Sequence, residues 1–245
     1  VAGSSEVPTF RHEALAVVFK ITPGEGADAR PELTVLAWKR SRDPYQGAWA
    51  LPSGPVLEGE TIGACVARNL ATKVDLSEIA HLEQLETRSE PDRDPFQRTI
   101  ATAYLGLVPS TANPRLPQNA AWIRTGTLPR MAFDHASLVQ SAMQRLEHKL
   151  SYSNIGFGLA PAEFTLAELR DIYRAVLGYD VSVTNLQRVL KRRGQLEPTG
   201  RTAAAGHGGG RPAALYRFTR QSLQITDPFA AFRPAGAADR PPRTG

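Results

Sequence analysis

Residues Gly54–Leu76, GPVLEGETIGACVARNLATKVDL, constrain the fold more than any other stretch. From Glu60 to Lys73 the spacing is helical, with Ile62, Cys65, Val66, Asn69 and Leu70 on one face. Cys65 belongs to that face and reads as a small core hydrophobe rather than a nucleophile. As the single cysteine of the chain it can form no intramolecular disulfide.

Strands surround this helix. Glu13–Thr22 (EALAVVFKIT) and Leu33–Lys39 (LTVLAWK) are rich in aliphatic and aromatic residues and are joined by PGEGADARPE, a loop of Gly, Pro and Asp. Further strands are expected at Leu82–Arg88 and Thr99–Leu107, around the charged loop SEPDRDPFQR. Between Asp134 and Leu150 the apolar positions Leu138, Met143, Leu146 and Leu150 mark a helix that closes a first domain. The pattern predicts domains at 9–150 and 151–225, with a tail at 226–245 too poor in large apolar residues to fold.

Charge divides the chain in the same way. Val1–Leu150 carries 16 Lys and Arg against 17 Asp and Glu, whereas Ser151–Gly245 carries 13 against 7. The whole positive excess lies in the last third, which points to a polyanionic partner there, a basic solvated surface being the alternative. At 245 residues, 42% hydrophobic and 22% charged, the chain has ordinary globular composition. No apolar run approaches the roughly 20 residues of a membrane helix, and VAGSSEVPTF lacks the features of a signal peptide, so a cytoplasmic protein with no membrane partner is expected.

In the basic third, Thr165 and Glu168 have capping-box spacing ahead of an apolar stripe of Leu166, Leu169, Tyr173 and Val176, and Gly178 supplies a stop. Thr184 and Gln187 repeat the spacing. After them Leu186, Val189 and Leu190 face inward, while Asn185, Gln187, Arg188, Lys191 and Arg192 face outward. A polar, basic second helix after a short turn is what a helix-turn-helix presents to a major groove. There Arg can bond guanine, Asn or Gln can bond adenine, Lys191 can meet phosphate, and Thr184 stands at the helix start. Gln195–Thr199 and Ala214–Thr219 read as two strands of a wing, joined by a glycine-rich loop with Arg201, His207 and Arg211. A lone His in that loop lacks companion ligands for a metal.

The opening stretch, approached through WALPSG, resembles the Nudix signature: Gly, five residues, Glu, seven residues, Arg-Glu, an aliphatic residue, any residue, Glu-Glu, any residue, Gly and an aliphatic residue. Gly54, Glu60, Arg68, Leu70 and Leu76 match in register, but Asn69, Thr72 and Lys73 stand at the positions of the catalytic glutamates and Asp75 at that of the second glycine. Thr and Lys in place of neighbouring carboxylates remove anionic ligands for magnesium and add a cation, so no enzyme is expected, and no catalytic or metal-binding residue is assigned.

With EQLETRSEPDRDP, MAFDH, FTLAEL, VTNLQRVLKRRGQLEPTG and GRPAALYRF, the chain from about Thr9 to Thr219 resembles the NrtR family of Nudix-related regulators of NAD metabolism. The resemblance implies an α+β protein in which an N-terminal Nudix-like α/β/α domain precedes a C-terminal winged helix-turn-helix domain. It implies a homodimer that binds a palindromic double-stranded DNA operator, represses NAD biosynthesis genes, and senses ADP-ribose or a related nucleotide without needing a cofactor. For that effector the first domain offers Arg40, Glu60, Arg68, Arg93 and Arg98, with surface arginines, or an Arg68–Glu60 structural pair, as the alternative. Two other functions fit the residues: a pyrophosphohydrolase of nucleoside diphosphates using Glu58 and Glu60, and an adaptor whose winged helix binds protein.

Overall fold

The structure is a computed structural model in which residues 9–24, 26, 30–203 and 212–227 are described. Arg211, His207 and positions 228–245 of the tail lie outside them. The chain divides into two compact units. The first runs to Ala142, apart from Ile21–Glu32 and Pro109–Thr111; the second holds those segments and everything from Met143 onward.

The first unit is organised on β1 (Arg11–Thr22). Ala14 through Phe19 are fully buried on both faces of this strand, the mark of a central strand with both faces of its sheet covered. β1 pairs in parallel with β6 (Thr99–Leu107) and antiparallel with β4 (Ser53–Pro55). The seven-stranded sheet has the order β3-β2-β1-β6-β5, with β4 against β1 and β7 against β2. Here β2 is Glu32–Lys39, β3 Trp49–Ala50, β5 His81–Arg88 and β7 Ala120–Arg124. Strands β3, β4 and β7 were not expected. β4 has only three residues, too few for alternation to show, and every residue of β7 is only half-buried.

Helix α1 (Ile62–Val74) covers one face. Cys65, Val66, Leu70 and Val74 form a common cluster with Ala14, Ala16 and Val18 of β1. The helix starts two residues later than its spacing predicts, because the Thr61 side chain caps it by accepting from Ala64 N. It ends at Asp75, which has φ 51° and ψ 40°, while Leu76 N donates to Leu70 O at 3.1 Å. This left-handed backbone explains the glycine that the signature carries there. Leu15, Val17 and Phe19 point to the opposite face by the period of two and are equally buried. Helix α2 (His135–Tyr152) begins on this unit, where Leu138, Val139 and Ala142 are fully buried. Arg88 donates to Ser141 Oγ at 3.2 Å, and Leu51 N donates to His135 Nδ1 at 3.0 Å.

In the second unit α3 (Leu166–Leu177) and α4 (Val183–Arg192) pack with a three-stranded sheet of order β8-β10-β9. The strands are β8 (Phe164–Thr165), β9 (Leu196–Thr202) and β10 (Ala214–Phe218). The capping box at Thr165 and Glu168 is complete, and Gly178 closes α3 with φ 75°. Phe164, expected at the helix start, pairs instead with Tyr216 as part of β8, and its ring lies 5.3 Å from that of Phe218. The backbone at Gly156 approaches so closely that a Cβ there would stand 3.2 Å from both Phe218 and Tyr173. Buried Asn154 anchors the segment after β10, donating to Ser222 O at 3.0 Å and accepting from Gln224 N at 2.7 Å.

Candidate functional site

Within the first unit β1, β2 and β4, the last turn of α1 and two loops enclose a cleft of about 220 Å³. That is below the range of about 300–1,000 Å³ for a site that swallows a whole small molecule, so the cleft is sized to enclose only part of a ligand. Arg11 and Glu13 enter it from the same face of β1, Trp38 from β2, and Arg40, Arg42 and Asp43 from the loop after β2. Pro44 of that same loop, Ser53 and Gly54 of β4, Lys73 of α1, Asp94, Phe96 and Gln97 of the β5–β6 loop, and Phe133 complete the lining.

The acid positions of the signature take up other work. Buried Asn69 donates its Nδ2 to Cys65 O at 2.8 Å, and Thr72 donates to Arg68 O at 2.8 Å. Lys73 donates its Nζ to Ser53 O and lies 4.9 Å from the centre of the Trp38 ring. Burial lowers the Lys73 pKa from its ordinary value, while Glu13 acts in the opposite direction. Arg68 clamps Glu60 with Nε at 2.7 Å and Nη2 at 2.8 Å, and also donates to Pro55 O at 3.0 Å. That hydrogen bonding from Arg68 pulls the Glu60 carboxyl down to about 2. Burial pushes the Cys65 thiol up, as expected of a packed rather than a reactive cysteine.

A divalent cation, implied by the hydrolytic signature, does not fit this set: an amide turned to a carbonyl, a hydroxyl bonded to its own helix, an ammonium, and a carboxylate committed to Arg68. Among the described residues no group of three or more His, Cys, Asp or Glu could hold a metal ion.

Of the arginines singled out for an effector, Arg40 lines the cleft. Its Nε donates to Pro44 O at 2.7 Å and its guanidinium lies 4.8 Å from the centre of the Phe133 ring. Arg93, whose side chain is only 3% exposed, is paired with Asp134 at 2.7 Å. Arg98 donates to Ser89 O at 2.6 Å and covers the Phe10 ring. Glu60 and Arg68 are engaged with each other. None of these four lines the cleft. Sequence reasoning missed Arg11, Glu13, Trp38, Arg42, Phe96 and Phe133. The alternation of Arg11 and Glu13 at the start of β1 was the one available signal.

In the second unit α4 turns Leu186 and Leu190 inward and leaves Thr184, Asn185, Arg188, Lys191 and Arg192 exposed. Arg188 donates to Asn185 Oδ1 at 2.7 Å. Gln187 is half-buried and donates to Tyr216 Oη at 3.2 Å, and the Lys191 ammonium lies 5.1 Å from the centre of the same ring. The expected capping box at Thr184 is corrected. Ser182 is the cap, accepting from Asn185 N, because the helix starts at Val183 and leaves Thr184 inside its first turn. Arg201 extends from β9, 71% exposed, and pairs with Glu163 at 2.9 Å.

The NUDIX domain family model matches residues 12–142, and the NrtR DNA-binding winged helix domain model matches 156–218. The chain is 32% identical over 204 residues to the ADPR responsive transcriptional repressor NtrR of Acinetobacter baylyi, a match that covers 80% of each chain. Among solved structures it is similar to Shewanella oneidensis NrtR, with a TM-score of 0.72 and 28% identity over 85% of this chain and 94% of that one. It is also similar to the same protein complexed with a 27mer DNA, with a TM-score of 0.69 and 27% identity over 84% and 93%. The chain therefore belongs to the NrtR family of transcriptional repressors, in which a Nudix domain precedes a DNA-binding winged helix.

Proposed function

We propose that this protein is a repressor whose Nudix domain, residues 9–150, binds ADP-ribose or a related nucleotide without hydrolysing it, and whose winged helix, residues 151–225, binds an operator. The observation that carries the reading is the conjunction of two features in one chain. In the Nudix fold Asn69, Thr72 and Lys73 take the catalytic acid positions and Lys73 lines a cleft with Arg11, Arg40 and Arg42, and a winged helix exposes Asn185, Arg188, Lys191 and Arg192 on one helix face. The relative from Acinetobacter baylyi is an ADPR responsive repressor, which supports ADP-ribose as the effector.

On this reading Arg188, Asn185 and Gln187 contact base edges. Thr184, Lys191, Arg192, Arg201 and Arg211 meet the backbone of the duplex. The protein acts in the cytoplasm as a homodimer on a palindromic operator upstream of NAD biosynthesis genes, its recognition helices about 34–36 Å apart or a multiple of that. ADP-ribose changes operator affinity by binding the two global states unequally.

A duplex-binding titration against sequences upstream of NAD biosynthesis genes, repeated with ADP-ribose and with NAD, tests the reading. Sequence preference that shifts with ADP-ribose is expected; equal affinity for all duplexes overturns it. Hydrolysis of ADP-ribose with magnesium at about 1 per second or more would overturn the non-catalytic assignment.

A further inference from the structure

The lining of the cleft holds four cationic side chains, Arg11, Arg40, Arg42 and Lys73, against three carboxylates, Glu13, Asp43 and Asp94. Three of these charges are already committed to other groups. Arg11 is paired with Glu13 at 2.6 Å, and Asp94 accepts from Phe96 N at 3.0 Å and from Thr99 Oγ1 at 3.3 Å. Asn69 is packed away beneath Gly54 and Thr72 is bonded to its own helix, so among the signature's acid positions only the one held by Lys73 lines the cleft.

Lys73 is also held in place. Ser53 O accepts from its ammonium, and the face of Trp38 lies beside it. An ammonium has three donors, of which the carbonyl takes one, so the group can serve an anion without moving. Orienting the cation on a fixed carbonyl and an aromatic face lowers the cost of ordering it when a ligand arrives.

We propose that Lys73 is the resident cation of the effector site: with Arg40 and Arg42 it binds the diphosphate of the nucleotide and makes that binding independent of divalent metal. This deepens the nucleotide-sensing reading and rests on it. The chemistry separates recognition from turnover. A divalent metal both neutralises a diphosphate and makes hydroxide from its bound water, whereas an ammonium neutralises the charge and leaves water unactivated. A lysine at this position thus retains the ligand and withholds the nucleophile.

The test is calorimetric titration of ADP-ribose into the full chain, in EDTA and in magnesium, for the unaltered protein, Lys73→Met and Lys73→Arg. The unaltered chain is expected to bind with the same affinity in both buffers. Lys73→Met, which keeps an unbranched stem against Trp38, should lose about tenfold or more, as for a charge-assisted hydrogen bond, and magnesium should not restore it. Lys73→Arg keeps the charge and should retain most of the affinity. Melting curves establish that each variant folds; if Lys73→Met does not, the metal arm on the unaltered chain and the Arg variant still decide. Undiminished binding by Lys73→Met, or binding by the unaltered chain that EDTA abolishes, overturns the role of Lys73 alone. Absence of ADP-ribose binding in both buffers overturns the nucleotide-sensing reading together with it.

Discussion

The Asn69 carboxamide fills the space that a side chain on Gly54 would need, its Oδ1 only 2.3 Å from where a Cβ would stand. The first residue of the Nudix signature and its first replaced glutamate are therefore one packing unit, β4 against α1. Gly54→Ala should destabilise the protein by about 1–3 kcal/mol through overpacking. Because Asn69 is buried and held by Cys65 O, it cannot simply swing aside. Adding Asn69→Ala to that variant should recover part of the loss in urea unfolding. A Gly54→Ala protein as stable as its parent would remove this account of the glycine.

The clamp of Arg68 on Glu60 links α1 to the loop before it and accounts for a carboxyl at about 2 against an ordinary 4.5. A carboxyl lowered on folding stabilises the fold above its unfolded value, and that contribution is lost as pH falls through the folded value. Glu60→Gln should therefore lower the melting temperature at neutral pH. The gap to the parent should narrow steadily as pH falls from about 4.5 toward 2. A gap that is constant with pH would show that the pair contributes packing and not charge.

His135 behaves in the opposite sense of charge. It is 1% exposed, accepts from Leu51 N, and has its pKa lowered by burial from an ordinary 6.5, with Asp134 opposing and Arg93 assisting. The unfolded chain takes up a proton that the folded one refuses. Stability should consequently fall as pH drops below about 6.5, by at most about 1.4 kcal/mol per pH unit for one proton. His135→Gln should be less stable at neutral pH and show a flatter dependence between pH 6.5 and 5. Denaturant midpoints across that range check it.

On α4 the hydrogen bond from Arg188 to Asn185 holds two candidate base-reading groups together. Arg188→Ala should cost about 1–3 kcal/mol of operator affinity and relax one base preference. Lys191→Ala should weaken operator and scrambled duplex alike and reduce the salt slope by about 1. Fluorescence anisotropy at several salt concentrations distinguishes them; unchanged binding by both variants would remove α4 from the interface.

Local order was legible because its causes are local. Capping of α3 by Thr165 and Glu168, its stop at Gly178 and the apolar stripe of α1 follow from residues within a turn or two of one another. Even there a single competing hydroxyl mattered: Ser182, two residues before Thr184, captured the start of α4.

By itself the sequence determined the order of the longer strands and the helices, the register of the damaged signature, and the concentration of positive charge in the last third. Only the tertiary structure decided which charged groups share the cleft. Arg93 is drawn away by Asp134, 41 residues further on, and Arg68 by Glu60, whereas Arg40, Arg42 and Lys73 converge on one cleft. The physical reason is reach: a long cationic side chain follows whichever carboxylate, carbonyl or ring the fold brings near it, and those partners are set by strand pairing and helix packing rather than by sequence spacing.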